Sequence, residues 1–145
     1  MDVGPAEVAE TVTIALREER IELTPVSVGN PHAVVRRAPL REDLLRLGPQ
    51  IERHELFPER TNVQFVRVDG RNAVSAVVWE RGAGETSSSG SSAVAVAAAA
   101  IVSGWCESPV VVTMPGGELE VALDGDNRAT LTGPAEEICR GETFL

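Results

Sequence analysis

Four short polar stretches stand out along the chain: Gly29-Asn30-Pro31-His32, Arg60-Thr61-Asn62, Trp79-Glu80-Arg81-Gly82-Ala83-Gly84-Glu85-Thr86 and Ser89-Gly90-Ser91-Ser92. Together they offer carboxamides, an imidazole, carboxylates, guanidinium groups and serine-flanked backbone N–H groups. If they converge, such groups can grip a zwitterionic amino acid at both ends, with amide or guanidinium on its carboxylate and imidazole or carboxylate on its ammonium. Taken singly, each stretch also has a purely structural reading. Asn30 before Pro31 can be a turn residue, His32 a satisfied imidazole, and Glu80 beside Arg81 a surface ion pair worth little. Spacing alone leaves both readings open.

What the chain lacks narrows the chemistry. All 13 basic residues are arginine. Without a lysine amine, neither a Schiff base to a carbonyl or pyridoxal phosphate nor a Walker A phosphate loop can operate. The two cysteines, Cys106 and Cys139, have no C-x-x-C partner, and there are two histidines, His32 and His54. No metal site is expected from ligands so spaced. The 22 acidic residues give a net charge of -9, a field that repels phosphate backbones and acidic lipids, so neither nucleic acid nor membrane is an expected partner. The longest apolar stretch, Ala93 to Val102, is far short of the roughly 20 residues that cross a bilayer. With no apparent leader and unpatterned cysteines, the expected location is the cytoplasm. A length of 145 residues is one domain's worth, and residues 1–145 are read as a single domain.

The elements that must position these groups read mostly as strands. Val12 to Leu16, Val26 to Val28, Ala33 to Val35, Asn62 to Val68, Val74 to Trp79, Val110 to Thr113, Leu119 to Leu123 and Ala129 to Leu131 are rich in β-branched residues and bounded by turn formers. Asp69-Gly70-Arg71-Asn72, Pro115-Gly116-Gly117 and Asp124-Gly125-Asp126-Asn127 carry hairpin chemistry, which predicts antiparallel neighbours. Pro39 to His54 shows leucines at helical spacing interrupted by Gly48-Pro49, predicting two short helices. Ser91 to Ser103 carries no charge on any face, and a helix apolar all round is a buried one. Its alanines let backbone approach on every side, so the expected fold is α+β, a curved antiparallel, barrel-like sheet wrapped around a central alanine-rich helix. Ser87 to Ser92 has the composition of a flexible linker, but the apolar run that starts at once favours a helix N-terminus. There the free N–H groups and the positive dipole end suit an anion.

These stretches also carry a resemblance. GNPH at Gly29 to His32, LGPQIERHELFPERTNV at Leu47 to Val63, WERGAGET at Trp79 to Thr86, MPGGELEV at Met114 to Val121 and LTGPAEEI at Leu131 to Ile138 resemble the cofactor-independent diaminopimelate epimerases. The match is to the second of that family's two similar lobes and runs over nearly the whole chain. It implies a barrel-like sheet around a central helix, as read above, and an isomerase of lysine and cell-wall precursor synthesis that needs no cofactor. The family reaction implied is a 1,1-proton transfer at an amino-acid α-carbon, as in amino-acid racemases, with one cysteine from each lobe on either face of the carbon.

By the resemblance, His32 and Glu80 lie near the reacting amino group, Asn30, Asn62 and Arg81 hold the distal end of a diaminopimelate-like substrate, and Gly90 and Ser91 cradle its α-carboxylate. Two departures matter. The family's cysteine position is Ser89 here, followed by Gly90, Ser91 and Ser92, and the lobe that would carry the partner cysteine is not in this sequence. A thiol ionises near pH 8.5 while an alkanol needs a pH several units higher, so at neutral pH, where the hydroxyl stays protonated, Ser89 is a far weaker base than the family's thiol. Cys106 and Cys139 fall elsewhere and read as ordinary thiols. The expectation is therefore a lobe that is inactive as an isolated chain, with a first-lobe partner or a homodimer as its assembly. The competing expectation is a non-catalytic binding module for an amino acid or carboxylate, or a structural partner lobe.

Overall fold

A computed structural model describes residues 2–133 of the chain. The helix α2 (Gly90–Val102) lies at the centre. From Ser92 to Ala100 no residue is more than 2% exposed, and the side chains of this stretch, with Val94 and Val96 the largest, let the sheet close around them. Val26, Val34, Val66, Val74, Ala76, Val78, Val110, Val112 and Val121 pack against α2 from the surrounding strands. Gly104, at φ 82°, turns the chain out of the helix, and Trp105 N–H donates back to Ala100 O at 2.8 Å.

The strands are β1 (Asp2–Pro5), β2 (Glu7–Val8), β3 (Val12–Ala15), β4 (Arg20–Ser27), β5 (Pro31–Arg36), β6 (Asn62–Gly70), β7 (Ala73–Glu80), β8 (Gly84–Thr86), β9 (Val110–Met114), β10 (Gly117–Leu123) and β11 (Arg128–Thr132). Along the sheet they run β1-β11-β10-β9-β7-β6-β5-β4-β2, with β3 on β4 and β8 on β7. The two ends of this path are consecutive in the chain. β1 pairs with β11 and β2 with β4, and only buried Ala6 separates them, its N–H bonded to Asn127 O at 2.8 Å. The barrel-like sheet is thus nearly closed by one covalent strand that changes partners at Ala6, and this removes long free edges.

The hairpin turns do give antiparallel pairs, β6 with β7, β9 with β10 and β10 with β11. The expectation of antiparallel neighbours throughout needs correction at two ladders. β5 pairs with β6 and β7 with β9 in parallel, because each of these connections runs through a helix, α1 (Arg41–Glu52) in the first and α2 in the second. A second correction concerns α1, which is one helix with Pro49 inside it, not two. Leu44, Leu47 and Ile51, on both sides of Pro49, are at most 1% exposed and pack on the outer face of the sheet against Ala33, Val35, Val63 and Phe65. That shared surface keeps the two halves in line despite the proline. The strands β2 and β8 and Arg20 to Pro25 of β4 lay outside the strand expectation. Pro25 interrupts the alternation of buried Ile21 and Leu23 with exposed Arg20 and Glu22 and disguises β4 in the sequence.

Candidate functional site

The central helix begins at Ser89, whose extended backbone makes it the N-cap and whose Oγ accepts from Ser92 N–H at 3.2 Å. No acidic residue occupies the first turn, so the positive end of the dipole there is not neutralised from within the helix. The segment before it is pinned by the β9–β10 turn, where Gly116 N–H donates to Ser87 O at 2.7 Å. A Cβ on Gly116 would come within 3.0 Å of that same oxygen, which is why the turn carries glycine. Gly90 follows the cap, and Ser91 Oγ lies 3.4 Å from Ser89 Oγ.

His32 sits on β5 beside Asn62 of β6 and opposite Val26 of β4, and it is completely buried. Its Nε2 is 3.0 Å from Asn30 Oδ1, and its Nδ1 is 2.9 Å from the Gln64 amide nitrogen, which also donates to Ser92 Oγ at 2.9 Å. A continuous chain of polar contacts therefore runs from Asn30 through His32 and Gln64 to the first turn of α2. Burial, and next the nearby Arg81 guanidinium, lower the His32 pKa from the ordinary 6.5 to about 4, so the ring is neutral at physiological pH. Beside it a cavity of about 420 Å3 is lined by Glu7, Val8, Val26, Pro31, His32 and Phe57, among others.

A second set of bonds holds the β7–β8 turn. Asn62, 4% exposed, donates from Nδ2 to Pro31 O at 3.2 Å and accepts on Oδ1 from Arg81 N–H at 2.7 Å. Arg81 Nη1 reaches Glu59 O at 3.3 Å. Beneath this turn lies Glu52, also 4% exposed, which accepts from the Trp79 indole at 2.8 Å and from Gly82 N–H at 3.0 Å, with Arg60 Nη1 at 3.7 Å. Burial alone would raise the Glu52 pKa, but the Trp79 and Gly82 bonds and the Arg60 charge outweigh it and hold the group below the ordinary carboxylate range. Trp79 can approach α1 because Gly48 has no side chain: a Cβ there would lie 2.8 Å from Trp79 Cγ.

Of the residues singled out in the sequence, Asn30 and His32 join α2 through one network, while Asn62 and Arg81 form a second that meets the first at Pro31. Ser89, Gly90 and Ser91 form the start of α2. Glu80 ends β7, half-buried, and its carboxylate makes no hydrogen bond among the described residues. Sequence reasoning missed Gln64 and Glu52. Gln64 had a signal, a single amide within Val63-Gln64-Phe65-Val66; Glu52 had none, reading as one of several charges near a helix end. Cys106 is a buried thiol whose Sγ donates to Gly70 O at 3.4 Å, and Cys139 lies outside the described residues. Neither described helix is long and apolar enough to cross a membrane.

A nearly closed sheet around a buried helix recurs in solved structures. A probable proline racemase from Agrobacterium radiobacter K84 matches 89% of this chain and 48% of its own with a TM-score of 0.64 and 20% identity. A hydroxyproline epimerase from Agrobacterium vitis matches the same shares with a TM-score of 0.65 and 20% identity. The sequence is more specific. The Diaminopimelate epimerase family profile matches residues 24–138. The diaminopimelate epimerase of Pseudomonas savastanoi pv. phaseolicola is 43% identical over 97% of this chain and 53% of its own, and that of Azotobacter vinelandii 47% identical over 86% and 46%. The chain belongs to the diaminopimelate epimerase family, and it spans about half the length of the curated relatives it matches.

Proposed function

We propose that the chain is the C-terminal lobe of a diaminopimelate-epimerase-like isomerase, which binds a diaminopimelate-like amino acid and does not epimerise it as an isolated chain. The observation that carries this reading is the hydrogen-bonded path from Asn30 through buried His32 and Gln64 to Ser92, which ties the amino-acid-binding motif to the N-terminus of α2. At that terminus the Gly90 and Ser91 N–H groups meet the α-carboxylate. His32 and Glu80 face the α-ammonium; a neutral imidazole there adds no like charge. Asn30, Asn62 and Arg81 take the distal amino-acid end, with the backbone of Arg81 held by Asn62. The whole enzyme would transfer the α-proton between two faces without a cofactor, in the cytoplasmic synthesis of lysine and cell-wall precursors.

Ser89 stands where this family places a proton-transferring thiol. Its hydroxyl is a weak base at neutral pH, and its oxygen is engaged in capping Ser92 N–H. That capping bond favours binding without proton transfer, and a first lobe supplied as a separate chain, or a second copy of this one, would complete the cleft. The alternative of a carboxylate-binding module with no epimerase partner rests on the same bond. Calorimetry with diaminopimelate tests binding: heat that vanishes in Arg81→Ala supports the reading, whereas no heat with the wild-type chain removes it in favour of a structural lobe.

A further inference from the structure

We propose that Gln64 is a positioning residue whose carboxamide fixes His32 as the Nε2–H tautomer and locks its ring to the first turn of the central helix. Gln64 is completely buried, and its neighbours on β6, Val63, Phe65 and Val66, pack into the two apolar clusters on either side of the sheet. Its amide nitrogen carries two protons, and two acceptors lie 2.9 Å away, Nδ1 of His32 and Oγ of Ser92. Both donors are thereby consumed, and Nδ1 must present a lone pair. A neutral ring then carries its one proton on Nε2, where Asn30 Oδ1 accepts it at 3.0 Å.

The opposite amide orientation fits the neighbours less well. Gln64 Oε1 is buried without a hydrogen-bond partner among the described residues. Turning the amide over would set that oxygen on Nδ1 and demand a proton there. The Nε2 lone pair would then face the Asn30 carbonyl oxygen, acceptor against acceptor. The present orientation pairs every group along the path from Asn30 to Ser92 at the cost of one orphan acceptor. A protonated ring would set Nδ1–H against the Gln64 N–H, so the amide opposes the cationic form, as does the Arg81 charge. Glu7 of β2 lines the same cavity. The tautomer follows from these bonds alone; its use, a neutral ring that adds no positive charge beside a substrate ammonium, rests on the function proposed above.

The test is ring-nitrogen NMR of His32 in the full, uniformly labelled chain without ligand, so that its outcome is independent of whether diaminopimelate binds. At neutral pH the wild type is expected to show a proton on Nε2 and none on Nδ1. Gln64→Glu replaces the donor by a carboxylate and is expected to move the proton to Nδ1 and to make His32 titrate about one to two pH units higher. Gln64→Met, of similar volume, is expected to release the ring into a mixture of tautomers, and thermal unfolding monitored by circular dichroism identifies which variants fold. A wild-type ring protonated on Nδ1, or an unchanged tautomer and titration in folded Gln64→Glu and Gln64→Met, would overturn the proposal. Should neither variant fold, the wild-type spectrum still decides it.

Discussion

His32 is buried neutral, and this makes the stability of the chain depend on pH. The unfolded chain takes up a proton near the ordinary value of 6.5 and the folded chain only near 4. Between these values the unfolded state binds more protons, so stability is full above about pH 6.5 and falls as the pH drops towards 4, by up to about 3 kcal/mol. Urea unfolding at about pH 7 and about pH 5 should show this loss, and His32→Gln should remove most of the difference. Glu52 makes the second prediction at this scale. Replacing it by alanine strands the Trp79 indole and the Gly82 amide without their acceptor, for an expected cost of about 2–3 kcal/mol and a loosened β7–β8 turn, seen as increased hydrogen exchange at Arg81 and Gly82. Protection equal to that of the wild type would show that Asn62 alone holds the turn.

Two positions test how the helices are seated. Gly48→Ala drives a Cβ to within 2.8 Å of Trp79 Cγ and should cost about 1–3 kcal/mol in thermal unfolding, because the indole is itself fixed by Glu52 and cannot retreat freely. Ser89→Ala removes the cap of α2 and should cost about 1 kcal/mol; a neutral result would mean that the burial of α2 holds its first turn without the hydroxyl. These elements also mark what the sequence made legible. The uncharged run from Ser91 onward has one physical reading, a helix with no face for water, and the expected strands lie on observed ones apart from a residue at some ends. The parallel ladders were hidden because turn chemistry speaks only for strands joined by a short turn. The single α1 was hidden because the packing of Leu44, Leu47 and Ile51 overrides the local preference of Gly48-Pro49 to break the helix.

For the molecule as a whole, closure depends on a strand that pairs with both ends of the sheet around Ala6, a long-range arrangement without a local signature in Asp2 to Val8. Asn30, His32, Asn62 and Arg81 stood out by residue type and by the resemblance, and they lie in two neighbouring hydrogen-bond networks; Gln64, which joins His32 to Ser92, stood out only as a single amide among apolar residues. The chain covers about half of the relatives it matches, and inversion of a carbon needs a proton taken from one face and returned on the other. A lobe with one face and a capping serine in place of the thiol should bind and not invert. The most direct measurement is NMR of diaminopimelate in D2O with the purified chain, with Ser89→Cys, and with Ser89→Cys mixed with a separately expressed first lobe. No inversion is expected from the wild type or from Ser89→Cys alone, at most slow α-proton exchange with retention in the latter, and inversion is expected once both lobes are present. Inversion by the wild-type chain alone would contradict it and would assign the proton transfer to another base, His32 or Glu80.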